Sequence, residues 1–236
     1  MDGVGLISHC PIGPGTSFRY IFKAFPTGTF WYRSHSGAQR TDGLYGGLIV
    51  MERNQTNNYP INFEDHPVHH TLLLSDWQTE ESLELFTQIH GGLRFFMEKK
   101  LGEVPNPTYS VYCATIAPDK SDIGPVPYWS GIMNSKGRRS DVPFENSLLS
   151  VFEVEQGKMY RFRLVGAQGL YAYRFSVEAH KLTVIAIDGY LIEPKDVDYI
   201  VIHTGEHYDF VLNANQTVQS NYWMQAETLE IQQDNY

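Results

Sequence analysis

The chain has 236 residues, 42% of them hydrophobic and 19% charged, with a formal net charge of −9. That is enough apolar material for one large domain or two ordinary ones with packed cores, and it excludes a disordered chain. The acidic balance excludes recognition of nucleic acid through clustered Lys and Arg, and no run of about 18 apolar residues is present to span a membrane.

With 15 Tyr, 13 Phe and 4 Trp, the composition favours strands over helices. The first fifteen residues carry neither the basic start nor the apolar stretch of a secretory leader. Strands are predicted over 17–24, 28–34 and 47–51, separated by Gly, Pro and Asn turns. A polar, turn-rich stretch at 52–64 reads as a linker, with a boundary near residue 60. After a strand at 70–75, a helix is predicted over 80–99. Thr79 is its cap, acidic residues lead it, Gly91 and Gly92 interrupt it, and Lys99 and Lys100 close it. Residues 105–127, rich in Pro and Asp, read as a loop. Further strands are predicted over 159–165, 173–177, 182–187, 199–202, 207–213 and 221–226, with Asp188-Gly189 as a hairpin signal.

A glycine followed at the third and fifth positions by aromatics recurs as Gly15/Phe18/Tyr20, Gly157/Tyr160/Phe162 and Gly205/Tyr208/Phe210. On a strand the two aromatics share one face. The first and third copies are followed by Phe30-Trp31 and Tyr222-Trp223, a pattern that points to two related β-domains in tandem. If those tryptophans correspond, Arg33 and His35 align with Gln225 and Glu227, which form no ligand pair.

Several chemistries find little support. No G-x-S-x-G element, phosphate-binding Walker loop or Cys-x-x-Cys motif is present. His66, His69 and His70 look like a metal cluster but precede a strand entry, so a surface or structural role is the expectation. Packing or turn roles are expected for His180 and His207. Cys10 and Cys113 are compatible with one disulfide or two thiols, and Asn54 and Asn215 begin Asn-Gln-Thr sequons that accept glycans in a secreted chain.

Residues 28–50, GTFWYRSHSGAQRTDGLYGGLIV, closely resemble the multicopper oxidase pattern G-T-x-W-Y-H-S-H-x-x-x-Q-x-x-x-G-L-x-G-x-L-I-V. HCPIGPG at 9–15 is similar to the same family's Q-C-P-I-x-P-G turn. YRFRLV at 160–165, the stretch from Phe175 to Gly189 and EHYDFVL at 206–212 resemble its middle domain, with laccases the most similar members. The resemblance implies an all-β fold of tandem cupredoxin-like Greek-key β-sandwiches. Residues 1–58 would be the closing part of a truncated first domain, and 63–236 a complete second one.

It also implies copper-dependent oxidation of phenols or metal ions, with dioxygen reduced to water. In the family, the His-x-His of this motif gives one ligand to each of two type 3 coppers, because residues two apart on a strand face one cavity. Here only His35 matches. The other position is Arg33, whose guanidinium has no lone pair to give and keeps its charge. At ~5 Å and an effective dielectric of ~20, like charges repel by roughly 3 kcal/mol per unit product, twice that against Cu(II).

The resemblance places the remaining ligand motifs outside residues 1–236, so the missing upstream and third domains, or another chain, are the implied partners. The turn with Arg40, Asp42 and Gly43 buttresses the copper cavity by resemblance; by itself it reads as a polar turn. Cys10 matches a cysteine that ties the first domain to the second, with Cys113 as its candidate partner here, and the implied location is extracellular. The competing expectation is a non-catalytic secreted cupredoxin-fold interaction or matrix protein that has lost its copper site.

Overall fold

The structure is a computed structural model of the chain, and it describes residues 4–51, 59–78, 81–84, 115–116, 122–124, 130–138, 148–218 and 221–229. Strands β1 (Gly28–Arg33) and β2 (Tyr45–Val50) pair antiparallel as a ribbon, with Gly28 opposite Val50 and Arg33 opposite Tyr45. Most of the other described strands form a two-sheet sandwich. Its larger sheet contains β3 (Glu64–Asp65), β4 (Thr71–Trp77), β7 (Ser130–Met133), β8 (Met159–Gly166), β10 (Leu182–Ile187), β11 (Tyr190–Val197) and β13 (His207–Asn213). They run in the order β11-β10-β13-β8-β4-β7, with β3 pairing parallel to β8. The smaller sheet runs β12-β9-β14, from β9 (Tyr173–Val177), β12 (Ile200–Ile202) and β14 (Met224–Thr228). A short pair, β5 (Thr115–Ile116) and β6 (Asp122–Gly124), completes the described strands.

Alternation along the strands builds the core. Tyr160, Phe162 and Leu164 of β8, Phe210 and Leu212 of β13 and Leu72 and Leu74 of β4 meet Tyr173, Phe175, Val177, Ile200 and Ile202 of the smaller sheet. Phe162 stacks on Phe210 with centroids 5.5 Å apart, and Phe175 lies 5.7 Å from Phe210. Each such side chain contributes roughly 1.5–3 kcal/mol by leaving water.

The intervening residues of β8 are Arg161 and Arg163, on the outer face of the larger sheet. They are nevertheless buried, and each is matched by a carboxylate. Asp65 of β3 takes Arg163 in a fork, 2.6 Å to Nη1 and 2.7 Å to Nη2, and Asp209 of β13 accepts from Arg161 Nε at 3.1 Å. Tyr59 and Phe63 cover Arg161, their ring centroids 5.3 and 6.0 Å from its guanidinium carbon.

The ribbon docks where β10 turns into β11. Asp188 and Gly189 carry φ of 50° and 82°, the left-handed pair that a two-residue hairpin demands. At Gly28 a Cβ would stand 2.8 Å from the Gly189 Cα, and one at Gly189 would stand 2.9 Å from the Phe30 ring. Only two glycines permit this backbone approach.

The all-β expectation holds, and the strands predicted at 173–177, 182–187 and 207–213 keep those bounds. Others shift by one to three residues. The strand predicted over 17–24 does not form: no described strand lies beside it, and a ladder requires one. Conversely, β11 escaped prediction because Pro194 and its exposed, mixed composition suit an edge position rather than a buried strand. Of the predicted helix, a helical turn at 82–84 is described; the remainder, and most of the 105–127 loop, lie outside the described residues.

Candidate functional site

The motif that singles out this chain begins on β1 and runs into the loop between β1 and β2. Trp31 and Arg33, two apart on the strand, lie together: the guanidinium carbon sits 4.7 Å from the centre of the Trp31 ring, a cation–π contact. The arginine then reaches the sandwich, where its Nη1 is 3.9 Å from the point a Cβ on Gly205 would occupy. His35 lies just beyond the strand and is exposed. Its loop is tied internally: Ser34 N donates to Leu44 O at 3.0 Å, Ser34 Oγ to Gln39 Oε1 at 2.6 Å, and Leu44 N to Gln39 O at 3.0 Å.

Arg40 and Asp42 fasten this loop to the sandwich. Arg40 Nη2 donates to Gly169 O at 3.2 Å, and Ser82 N donates to Asp42 Oδ1 at 2.8 Å. Asp76, buried at the end of β4, accepts from the backbone N–H groups of Gly169, Leu170 and Tyr171 at 2.6, 2.9 and 3.3 Å. The carboxylate thus sets the loop on which Arg40 rests. Burial, and then the nearby Arg33 charge, hold the Arg40 guanidinium below its usual value, while Asp76 pulls it back up. Asp76 went unnoticed in the sequence. Its one signal was a charge at the end of the apolar run TLLLSDW, a place where charges occur only when paired.

The other histidines named from the sequence take packing or surface positions. His70 is buried, stacked on Phe162 at 4.4 Å, with Nε2 3.3 Å from Glu153 O. His66 faces Glu64 at 3.3 Å, and His69 is exposed. His180 meets the Tyr222 ring edge-on and lies 2.7 Å from Glu178 O through Nδ1. His207 is 8% exposed; its Nδ1 lies 3.2 Å from Asp188 Oδ1, and its Nε2 is buried with no hydrogen-bond partner. Gln225 and Glu227 of β14 are exposed, and Glu227 pairs with Arg174.

The resemblance names copper as the cofactor, and the described residues of this chain do not by themselves complete a site for it. Among the described residues no group of three or more His, Cys, Asp or Glu side chains could hold a metal ion. His35 stands alone, and its strand neighbour Arg33 is a cation stacked on Trp31. The remaining sequence candidates do not join this site. Cys10 is exposed and forms no disulfide among the described residues, and Cys113 lies outside them. Asn215 is exposed and Asn54 is outside the described residues. No described helix is long and apolar enough to cross a membrane.

Two models of multicopper oxidase domains match the chain, one over residues 1–55 and one over 108–236. A laccase of Trametes villosa, laccase-5, is 34% identical over 226 residues, covering 95% of this chain and 36% of its own length. A laccase of Trametes maxima is 35% identical over 229 residues, with 95% and 37% covered. Among solved structures, the multicopper oxidase Fet3p, described as functioning in iron import, superposes with a TM-score of 0.68 at 26% identity, over 97% of this chain and 35% of that one. The laccase from Botrytis aclada gives a TM-score of 0.60 at 26% identity, over 91% and 34%. The chain therefore spans little more than a third of these relatives' length. Matched by its family models, its relatives and its cupredoxin-like fold, the chain belongs to the multicopper oxidase family.

Proposed function

We propose that the chain is the portion of a laccase-type multicopper oxidase formed by the end of one cupredoxin domain, residues 1–58, and a second domain, residues 63–236. In the whole protein the activity is copper-dependent oxidation of phenols or metal ions, with dioxygen reduced to water. The similarity to laccases, running through both the ribbon and the sandwich over 95% of the chain, is the observation that carries this reading. Ligands beyond His35 are then supplied by upstream and third cupredoxin domains or by another chain. The protein is secreted and glycosylated at Asn54 and Asn215, and Cys10 pairs with Cys113 in the oxidised protein. The exposure of Asn215 and Cys10 is compatible with both modifications.

A second reading rests on Arg33. A fixed cation in place of a ligand favours a cupredoxin protein that has lost its copper site and serves as a non-catalytic interaction or matrix module. The full transcript separates the two, since a downstream His-Cys-His motif supports the oxidase and its absence overturns it. For the chain alone, copper loading followed by removal of excess metal is expected to leave well under one copper per chain, with no oxygen uptake on a phenol. Stoichiometric copper with the absorption of a coupled pair would contradict the assignment of Arg33 as a broken ligand position.

A further inference from the structure

We propose that Asp76 is a positioning residue for His35, acting through the peptide unit between Gly169 and Leu170 and then through Arg40. The N–H of that peptide, on Leu170, donates to Asp76 Oδ2 at 2.9 Å, and its carbonyl, on Gly169, accepts from Arg40 Nη2 at 3.2 Å. One peptide is thus held between a carboxylate and a guanidinium. Hydrogen bonds with a charged member are roughly twice as strong as neutral ones. A peptide drawn from both ends is also polarised, so that each bond strengthens the other. A neutral side chain at either end loses both effects.

The surrounding contacts leave this unit little freedom. Asp76 is 4% exposed, and its bonds from Gly169 N at 2.6 Å and Tyr171 N at 3.3 Å keep the turn from sliding along the carboxylate. Gly169 makes room for the loop: a Cβ there would stand 2.2 Å from Thr41 Cγ2 and 3.2 Å from Asp76 Oδ1. Thr41 is tied in turn to Ala38 O, through its N at 3.0 Å and its Oγ1 at 2.7 Å. The bonds from Leu44 N to Gln39 O and from Ser34 N to Leu44 O carry the frame on to Ser34, beside His35. The loop therefore moves as one piece, and the seat of Arg40 and Thr41 fixes where His35 stands. The part that this imidazole plays at a metal rests on the oxidase reading; the clasp rests on these contacts alone.

The test is backbone hydrogen exchange together with the histidine ring resonances, measured by NMR on the whole chain without added metal. In Asp76→Asn one carboxylate oxygen becomes an amide NH2, which cannot accept from a peptide N–H. Exchange is expected to quicken at least ~10-fold at Leu170 and at Ser34, Thr41 and Leu44, while amides of β9 and β13 keep their parent rates. The His35 ring signals should shift and those of His180 should not. Arg40→Met removes the guanidinium from a half-buried position and leaves the Asp76 bonds in place. It should free residues 34–44 and move the His35 signals while Gly169 and Tyr171 stay protected, and it decides the matter if the asparagine variant folds poorly. In the double variant the loop should be little looser than in the worse single one, because both changes act on one peptide. Unmoved His35 signals in either variant, exchange quickened equally in β13, or additive effects in the double variant overturn the relay. Such a result leaves the oxidase reading standing, since no metal is involved, and loss of that reading for want of a downstream His-Cys-His leaves the relay standing.

Discussion

At the scale of single residues, the ribbon is held by contacts that tolerate almost no added volume. The Gly28 Cα approaches the Gly189 backbone so closely that one methyl group has nowhere to go, and its φ of 147° disfavours any other residue. Gly28→Ala is therefore expected to destabilise the chain by about 1–3 kcal/mol, the range for strain at a special backbone position. Urea unfolding should show a lower midpoint at unchanged slope; an unaltered midpoint means that the ribbon is not seated on the hairpin. Two histidines set a pH dependence. Burial pushes His70 down, against the pull of the Glu153 carbonyl, and burial likewise pushes His207 down, against Asp188. Their folded values thus lie below the unfolded value of ~6.5, and below that pH the unfolded chain binds more protons. Stability is expected to be complete above pH ~6.5 and to fall as the pH drops through the folded values. Thermal midpoints measured against pH should flatten in His70→Gln. If His70→Gln and His207→Gln both follow the parent curve, these imidazoles are not the cause.

At the scale of elements, the outer face of the larger sheet is a charged layer rather than an apolar one. β3, β8 and β13 are joined by Asp65, Arg161, Arg163 and Asp209, and the Arg163 side chain is only 2% exposed. Breaking such a pair from one side leaves a buried charge without compensation. Asp65→Ala is expected to cost about 3–5 kcal/mol, whereas replacing both partners by apolar residues is often near neutral. Chemical denaturation of Asp65→Ala and of Asp65→Ala/Arg163→Met should show the double variant recovering most of the loss. Simple additivity of the two single effects would sink this account. The sequence displayed Arg161 and Arg163 as alternating charges in a strand, the pattern of a solvated face. They are buried because the carboxylates of Asp65 and Asp209 pair with them and the rings of Tyr59 and Phe63 cover Arg161, and local periodicity has no information about such distant partners.

At the scale of the whole molecule, one surface stands out. Ile21 and Phe22 are 86% and 65% exposed on the stretch that reads as a strand and has no partner beside it among the described residues, and Phe25 just beyond it is 74% exposed. Large apolar side chains exposed in one short segment promote association. The chain is expected to bind an apolar dye and to self-associate with rising concentration. Ile21→Ser/Phe22→Ser should reduce both in fluorescence titration and sedimentation, and an unchanged sedimentation profile would place the association elsewhere.

By itself the sequence determined the all-β class, the family and most strands of the sandwich, because alternation and turn residues are local signals that the solvent boundary enforces. It also showed that Arg33 cannot ligate copper, since that follows from the guanidinium alone. Only the tertiary structure decided where Arg33 goes, onto Trp31 and over the Gly205 turn. It also brought Asp76 against the 169–171 backbone, 93 to 95 residues away in the chain. Such pairings are set by how one sheet face is covered, through contacts between distant segments, and no run of neighbouring residues encodes them.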